Sequence, residues 1–301
     1  MVDDTARDLM SHQNYGPLLD ALAGVSWPAR RPIGAGVAGA HPSRLRGMTA
    51  EFTEYRPYRQ GDDFRRLDWK LLARTDRAYL RITDDHATRS TLILLDASAS
   101  LGFPADTNTK WIQACRVAVG LAAVARGDGD PVGLIIPRES GPVRIAPQSR
   151  RGVIAEIVRA TGQVSPDGSA AMVPWLTGAR PGSRVAIISD FLSEGSGLLA
   201  RARQLIVEGV EVFAAHIVSD QELDPPSAAR LATDPEDSSV RRVLHQGSRE
   251  AYAAAFGSWR AELRESWRRT GAEYTEVRAE EDSAAAIRRI VRGAAEVAHG
   301  A

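Results

Sequence analysis

From Thr91 onward, the chain alternates short apolar runs with longer segments that mix apolar and polar residues. The runs at 91–95, 132–136, 184–188 and 210–218 are apolar at most positions, which is typical of strands buried on both faces of a sheet. Strands that alternate with helices predict crossover connections and a largely parallel sheet covered on both faces.

Between these runs, apolar residues recur at helical spacing. Helices are expected at 17–23, 109–125, 151–161, 197–208, 249–269 and 283–298. Further strands are expected at 142–146 and 274–277, with a small hairpin near Leu231 and Val243. The pattern therefore predicts a doubly wound α/β domain over residues 91–301, with residues 1–90 forming an N-terminal extension.

The extension has a different texture, with 14 basic and 12 acidic residues and few apolar runs. Between Arg44 and Arg89, 11 basic and 8 acidic residues are interleaved with aromatic ones. Arginines among aromatic residues occur in segments that bind nucleic acid, but here nearby carboxylates would neutralise the attraction to phosphate. We expect instead an internal network of arginines and carboxylates that braces the extension against the α/β domain, and no binding to nucleic acid.

Composition narrows the function classes further. The 38 basic and 38 acidic residues cancel, which argues against broad adhesion to nucleic acid or to an anionic membrane. A single cysteine, Cys115, excludes a disulfide framework within the chain and a zinc cluster made of cysteines. The only lysines are Lys70 and Lys110, so any mechanism that needs a lysine has two candidates.

Neither the start of the chain nor its most apolar stretch has the pattern of an export signal or a membrane span. The first twenty residues contain five charged side chains, unlike a signal peptide, and the stretch 117–125 is too short to cross a bilayer. We therefore expect a cytoplasmic protein without a membrane partner.

Polar residues follow two of the expected strands. Asp96, Ser98 and Ser100 come directly after the first strand at alternate positions, and Asp190 follows the strand at 184–188. Ligands of doubly wound sheets bind at the carboxyl ends of the strands, where strand order reverses. Carboxylate and hydroxyl oxygens suit Mg²⁺ or Mn²⁺, so these residues predict a metal site. The alternative is that they are ordinary turn and cap residues.

This constellation resembles the metal-ion-dependent adhesion site of von Willebrand factor type A domains. The four residues just named match that family's Asp-x-Ser-x-Ser motif and its later Asp. The resemblance implies a hydroxyl from a middle loop, where Ser169 would replace the usual Thr, and a Gly after the later Asp, where this chain has Phe191. It also implies an open metal position for an acidic residue of a partner protein.

A block of residues at 51–74, before the first strand of the domain, indicates a more specific family. The chain is similar to the bacterial domain-of-unknown-function family fifty-eight, in which such a block precedes a von Willebrand A-like domain. The matching residues are Glu51-Phe52, Arg56-Pro57-Tyr58, Gly61-Asp62-Asp63, Arg65, Leu67-Asp68-Trp69, Ala73-Arg74, Asp224, Asp234 and Tyr252. The likeness covers about residues 40–300. It implies partnership with a MoxR-type AAA+ ATPase in assembling or maturing other complexes, and hence an adaptor that is not an enzyme.

Two other function classes stay open. A metal-dependent phosphohydrolase of the haloacid dehalogenase class would use Asp96 as nucleophile, but it needs a second acid where Ser98 stands and a lysine from a later part of the domain. A purely structural interaction domain would need no metal. We expect no catalytic residues.

Overall fold

The structure is a computed structural model. It describes residues 15–29, 38–42, 52–58, 69–75, 77–83, 86–169, 171–193, 196–226, 231–233, 241–243 and 246–298. Much of the upstream block therefore lies outside the described residues, as does one downstream match: Glu51, Gly61, Asp62, Asp63, Arg65, Leu67, Asp68 and Asp234.

The helices follow the apolar spacing of the sequence closely. Those described are α1 (Gly16–Ala21), α2 (Trp69–Thr75), α3 (Thr109–Gly127), α4 (Val153–Gly162), α5 (Ser196–Val207), α6 (Asp220–Leu223), α7 (Gln246–Thr270) and α8 (Ser283–Ala298). Single 3₁₀ turns occur at Ala99–Gly102 and Val173–Leu176. The sequence pattern did not predict α2 or α6. The helix α6 is a single turn, and a single turn has no apolar periodicity.

After residue 90 the strands lie where the sequence predicts them, whereas the four short strands described before residue 90 were not predicted. Those described are β1 (Ala38–Pro42), β2 (Phe52–Pro57), β3 (Tyr79–Thr83), β4 (His86–Ala87), β5 (Thr91–Leu95), β6 (Val132–Ile136), β7 (Val143–Gln148), β8 (Arg184–Ser189), β9 (Glu211–Val218), β10 (Leu231–Thr233), β11 (Arg241–Val243) and β12 (Glu273–Arg278). Short antiparallel pairs form between β1 and β4, β2 and β3, and β10 and β11.

Six of the described strands form the central sheet, in the order β12-β9-β8-β5-β6-β7. All neighbours are parallel except the edge strand β7, which is antiparallel to β6. The chain leaves β5 toward β6 on one side and later returns to β8 on the other side of β5. This confirms the doubly wound α/β prediction and makes the boundary between β5 and β8 the topological switch point.

Helices cover both faces of this sheet. On one face, α3, α4 and α8 bury the apolar side chains of β5 and β6, and Gly120 of α3 lies so close to Ile287 of α8 that a side chain there would collide with it. On the other face, α5 and the end of α7 pack on β8 and β9. The two layers hold the central strands rigid and leave their ends as the surfaces at which polar groups can converge.

The described start of the extension packs onto this domain. Leu22 and Trp27 are buried in the same apolar cluster as α3 and α8, and the Trp27 ring lies edge-on to Phe213 with centroids 4.9 Å apart. Leu22 and Trp27 therefore anchor residues 15–29 on the α/β domain.

Candidate functional site

Two strand ends place the predicted site residues side by side. In the parallel register, Leu95 at the end of β5 lies opposite Ile188 of β8. The Asp96 N–H continues the ladder by donating to the Ile188 carbonyl at 2.9 Å. Asp96 and Asp190 thus leave the sheet together at its carboxyl edge, where they form what we call the crevice with Ser98, Ser100, Lys110 and Glu222.

Asp96 is held at both carboxylate oxygens. Its Oδ1 accepts the Ser98 N–H at 2.8 Å, and its Oδ2 accepts the Ser189 hydroxyl at 2.6 Å. Burial, reinforced by the negative charge of Asp190, raises the pKa of Asp96 to about 6 despite these hydrogen bonds. The largest cause is loss of hydration on burial, so the hydrogen bonds to Asp96 do not fully stabilise its ionised form.

The two motif serines have the spacing of neighbouring metal ligands. Ser98 Oγ and Ser100 Oγ lie 3.1 Å apart, and both residues are buried. Neighbouring ligands of an octahedral Mg²⁺ with 2.0–2.1 Å bonds lie about 3 Å apart. The spacing of the two hydroxyls therefore matches that of neighbouring ligands of Mg²⁺ or Mn²⁺, and it equally matches the hydrogen bond that joins them.

Ser169 lies on a loop that runs against the motif. The Asp167 N–H donates to the Ala97 carbonyl, and the Ala99 N–H donates to the Gly168 carbonyl, both at 2.9 Å. Ser169 itself is exposed, and its N–H donates to Glu139 Oε1 at 3.3 Å. The structure thus places the middle loop against the motif. The hydrogen bond of the Ser169 backbone, however, is made to Glu139.

Phe191 keeps the backbone shape that a glycine would favour. Its φ of 55° lies in the left-handed region, and its ring is buried against Trp267 with centroids 5.1 Å apart. This turn exposes Leu192 and directs the Leu192 N–H to Asp190 Oδ1 at 3.2 Å. Burial of the ring offsets the backbone strain, so the departure from Gly leaves the turn after Asp190 in place.

Lys110 is the site residue that the sequence argument did not assign. Its Nζ lies 2.7 Å from Asp190 Oδ2 and 2.8 Å from Glu222 Oε1, and the side chain is completely buried. Burial lowers the pKa of Lys110, but the carboxylates of Asp190 and Glu222 outweigh it, and the pKa lies above its ordinary value. A lysine in the first turn of a helix opposes the helix dipole. That unfavourable position, in a chain with two lysines, is the feature of the sequence that could have identified Lys110 as a site residue.

Glu222 is fixed by the short helix α6. Its Oε2 accepts the Ser219 N–H at 2.8 Å, and the Ser219 hydroxyl accepts the Gln221 N–H, which completes a capping box. The Ser219 hydroxyl also donates to Glu280 Oε1 at 2.8 Å. The carboxylate that shares Lys110 with Asp190 is therefore anchored from the far side of the crevice.

The charges of the crevice decide how well a cation fits. Asp96, Asp190 and Glu222 are three carboxylates, and Lys110 is the ammonium that lies among them. When all are ionised, this set has a net charge of minus two, so a divalent cation would neutralise it. Within the described residues, no three carboxylate, imidazole or thiol side chains converge as a metal cluster. The two serine hydroxyls have the spacing of metal ligands. Asp190, in contrast, already accepts a hydrogen bond from Lys110.

Two further residues, Cys115 and His216, are buried in the core. Cys115 is fully buried on α3, and burial raises the pKa of its thiol. His216 is buried on β9 with its Nδ1 2.5 Å from the Tyr274 hydroxyl. Burial, followed by the charge of Lys110, lowers the pKa of His216 to about 3, so its ring is neutral.

Comparison with known proteins gives relatives over most of the chain. The chain is 26% identical over 283 residues to an uncharacterized protein of Mycobacterium tuberculosis, Rv1480, covering 91% of this chain and 89% of that protein. Among solved structures it is similar to the conserved hypothetical protein BatB from Bacteroides thetaiotaomicron, with 16% identity, a TM-score of 0.44, and coverage of 69% of this chain and 99% of that one. It is also similar to a von Willebrand factor type A protein from Catenulispora acidiphila, with 18% identity, a TM-score of 0.42, and coverage of 71% and 43%.

The family is identified by a match to a family model. Among the described residues, no helix has both the length and the apolar character needed to span a bilayer. The family described as "Protein of unknown function DUF58" matches residues 54–262, more than half of the chain. The upstream motif and the α/β domain that follows it are thus parts of one family pattern, and this protein belongs to the DUF58 family.

Proposed function

We propose that this protein is a non-catalytic adaptor that binds a protein partner at the crevice through a divalent cation. Ser98 and Ser100 would hold Mg²⁺ or Mn²⁺ directly, with Asp96 and Asp190 as the anionic oxygens. Ser169 is the candidate hydroxyl from the middle loop. An acidic residue of the partner would complete the coordination.

The observation that supports this proposal best is the pair of serine hydroxyls 3.1 Å apart beside the buried carboxylate of Asp96. The two buried hydroxyls are hydrogen-bonded to each other, and Ser98 also bonds to Asp96, so three oxygen-bearing side chains converge at one point. Magnesium sites in proteins often keep open positions for an outside carboxylate. The exposed Leu192 on the rim adds an apolar contact for such a partner.

The partner in this proposal is a MoxR-type AAA+ ATPase, and the process is the assembly or maturation of other protein complexes. This part rests on the resemblance of the upstream block. The metal would make the interaction depend on both the ion and an acidic residue of the ATPase. Pull-down of the ATPase with Mg²⁺ and with EDTA, using wild type and Asp190→Ala, tests it. Capture that is equal in all four arms would contradict it.

Metal binding is tested directly by calorimetric titration with Mg²⁺ and Mn²⁺. Asp96→Ala removes the braced carboxylate, so we expect it to weaken binding by about tenfold or more. Ser98→Ala should weaken it through loss of a ligand, and Ser169→Ala reports whether the middle loop contributes. Glu262→Ala, at an exposed carboxylate of α7, is the control and should bind as wild type does. Absence of binding in wild type would sink the metal-dependent proposal.

A phosphohydrolase with Asp96 as nucleophile is the second candidate, and one observation favours it. That chemistry needs a lysine, and Lys110 reaches the crevice from the first turn of α3 to contact Asp190 at 2.7 Å. The acid required for proton transfer is still replaced by Ser98. A panel of phosphate monoesters with Mg²⁺ separates the two functions, since turnover that Asp96→Asn abolishes would favour the enzyme.

A further inference from the structure

We propose that Lys110 competes with the divalent cation for Asp190 and thereby sets how tightly the crevice binds that cation. This inference rests on the proposed function. It concerns a residue that neither the metal motif nor the family resemblance assigns.

The competition follows from how Asp190 is bonded. Its Oδ1 accepts the Leu192 N–H at 3.2 Å, and its Oδ2 accepts from Lys110 Nζ at 2.7 Å. A metal ion that uses Asp190 must share an oxygen with one of these donors or displace it. The neutral N–H tolerates a nearby cation, whereas the ammonium repels it, and this repulsion is strong at short distance in a buried site. Lys110 therefore opposes the ion more than any other described group of the crevice.

Glu222 determines how strongly the Lys110 ammonium interacts with Asp190. The Lys110 ammonium is shared between Asp190 and Glu222 at nearly equal distances, 2.7 and 2.8 Å. Glu222 contacts the crevice carboxylates through this ammonium and is held in place by the capping box of α6. Without Glu222, Lys110 would bind Asp190 alone and would oppose the cation more strongly. Glu222 is in this sense a positioning residue for Lys110.

The experiment is a calorimetric Mn²⁺ titration of wild type and three crevice variants. Lys110→Met removes the competing charge and should tighten binding by about tenfold or more. Glu222→Gln leaves Lys110 with Asp190 alone and should weaken binding by about fivefold. The double variant K110M/E222Q has the net charge of wild type but frees Asp190 Oδ2, so it should bind about fivefold more tightly than wild type. Arg150→Met, which removes an exposed cation, is the matched control and should leave the affinity unchanged.

Folding is checked for each variant by circular dichroism, because Lys110→Met leaves Asp190 and Glu222 buried without a counter-ion. If that variant does not fold, Glu222→Gln and the double variant carry the test. A double variant that binds within twofold of wild type, together with a Glu222→Gln variant that also binds like wild type, would overturn the inference and leave the proposed metal site intact.

The two proposals fail in different ways. Mn²⁺ binding by the double variant but not by wild type would support competition between Lys110 and the ion, and it would contradict the proposed metal-dependent function of wild type. Absence of Mn²⁺ binding in wild type and in every variant would overturn the metal site and the inference with it.

Discussion

Both ends of the central sheet bury ionised groups, but the two ends balance their charges differently. At the amino end, Arg89 Nη1 lies 3.2 Å from Glu211 Oε2, and Arg184 lies 3.5 Å from Glu211 and 3.7 Å from Asp130. We call these four residues the amino-end cluster. It pairs two guanidinium groups with two carboxylates, whereas the crevice at the carboxyl end has three carboxylates and the single ammonium of Lys110.

The amino-end cluster is also closed by packing. The Arg184 guanidinium lies 4.1 Å from the centroid of the Trp27 ring and donates to the Trp27 carbonyl at 2.9 Å. The Trp27 N–H in turn donates to Asp128 Oδ2 at 2.6 Å. These contacts fix one segment of chain to another, although burial still lowers the pKa of Arg184 to about 10 despite its neighbouring carboxylates.

Backbone strain is concentrated at the crevice. Among the described residues, the non-glycine positions with positive φ are Asn108 and Phe191, with φ of 51° and 55°. Asn108 precedes the helix turn that carries Lys110, and Phe191 follows Asp190. Excess charge and strained backbone therefore coincide at one end of the sheet, and such coincidence is typical of functional sites. This difference is what we expect if the amino end stabilises the fold and the crevice has the binding role proposed for it.

The largest loss of stability should come from a substitution in the amino-end cluster. Arg184→Met leaves Glu211 and Asp130 buried with Arg89 as their remaining guanidinium partner. We expect it to lower the free energy of unfolding by about 3–5 kcal/mol, as measured by urea denaturation. Arg150→Met, which breaks an exposed ion pair with Glu156, should change it by less than about 0.5 kcal/mol. A loss at Arg184 as small as that of the control would contradict a stabilising role for the amino-end cluster.

A smaller effect should appear as pH dependence at the crevice. The pKa of Asp96 is raised from 3.8 to about 6. Between these values the folded protein binds more protons at Asp96 than the unfolded chain does, so stability falls as pH rises from about 4 to about 6. The full loss, present above pH 6, is about 3 kcal/mol in the cation-free protein.

The measurement is the difference in unfolding free energy between wild type and Asp96→Asn from pH 4 to pH 7. Asparagine cannot ionise at this position, so wild type should become less stable relative to the variant as pH rises. Addition of Mg²⁺ should reverse part of the loss in wild type only. A difference that stays constant across this range would show that the Asp96 charge is already balanced in the folded protein.

The smallest effect tests the strained turn after Asp190. Phe191→Ala and Phe191→Gly both remove the buried ring, whose loss should cost about 3 kcal/mol or more in each. Glycine adopts a positive φ without strain, so the Gly variant should be more stable than the Ala variant by about 1 kcal/mol, opposite to the usual order. Thermal denaturation of the pair measures this difference. If the Ala variant is the more stable, the turn stores no strain.

The described strands and helices of the domain after residue 90 were predictable because their apolar pattern is strong. The runs in β5, β6 and β8 are buried on both faces, and a continuous apolar run of that length is difficult to satisfy in any other way. The helix α6 was missed because one turn held by Ser219 and Glu222 depends on capping and not on periodicity. The motif residues Asp96, Ser98 and Asp190 were found because they stand directly after such strands.

The sequence by itself determined the order of strands and helices, and it determined that hydroxyl and carboxylate oxygens end the two central strands. Only the tertiary structure decided which charges meet. Lys110 lies far along the chain from Asp190 and Glu222, and its contacts with them depend on how α3 and α6 pack around the ends of β8 and β9. Local sequence sets backbone periodicity through nearest-neighbour interactions, but the electrostatic state of a buried group depends on everything within a few ångströms of it. For that reason the motif could be predicted, while the competition for Asp190 could be inferred only from the folded chain.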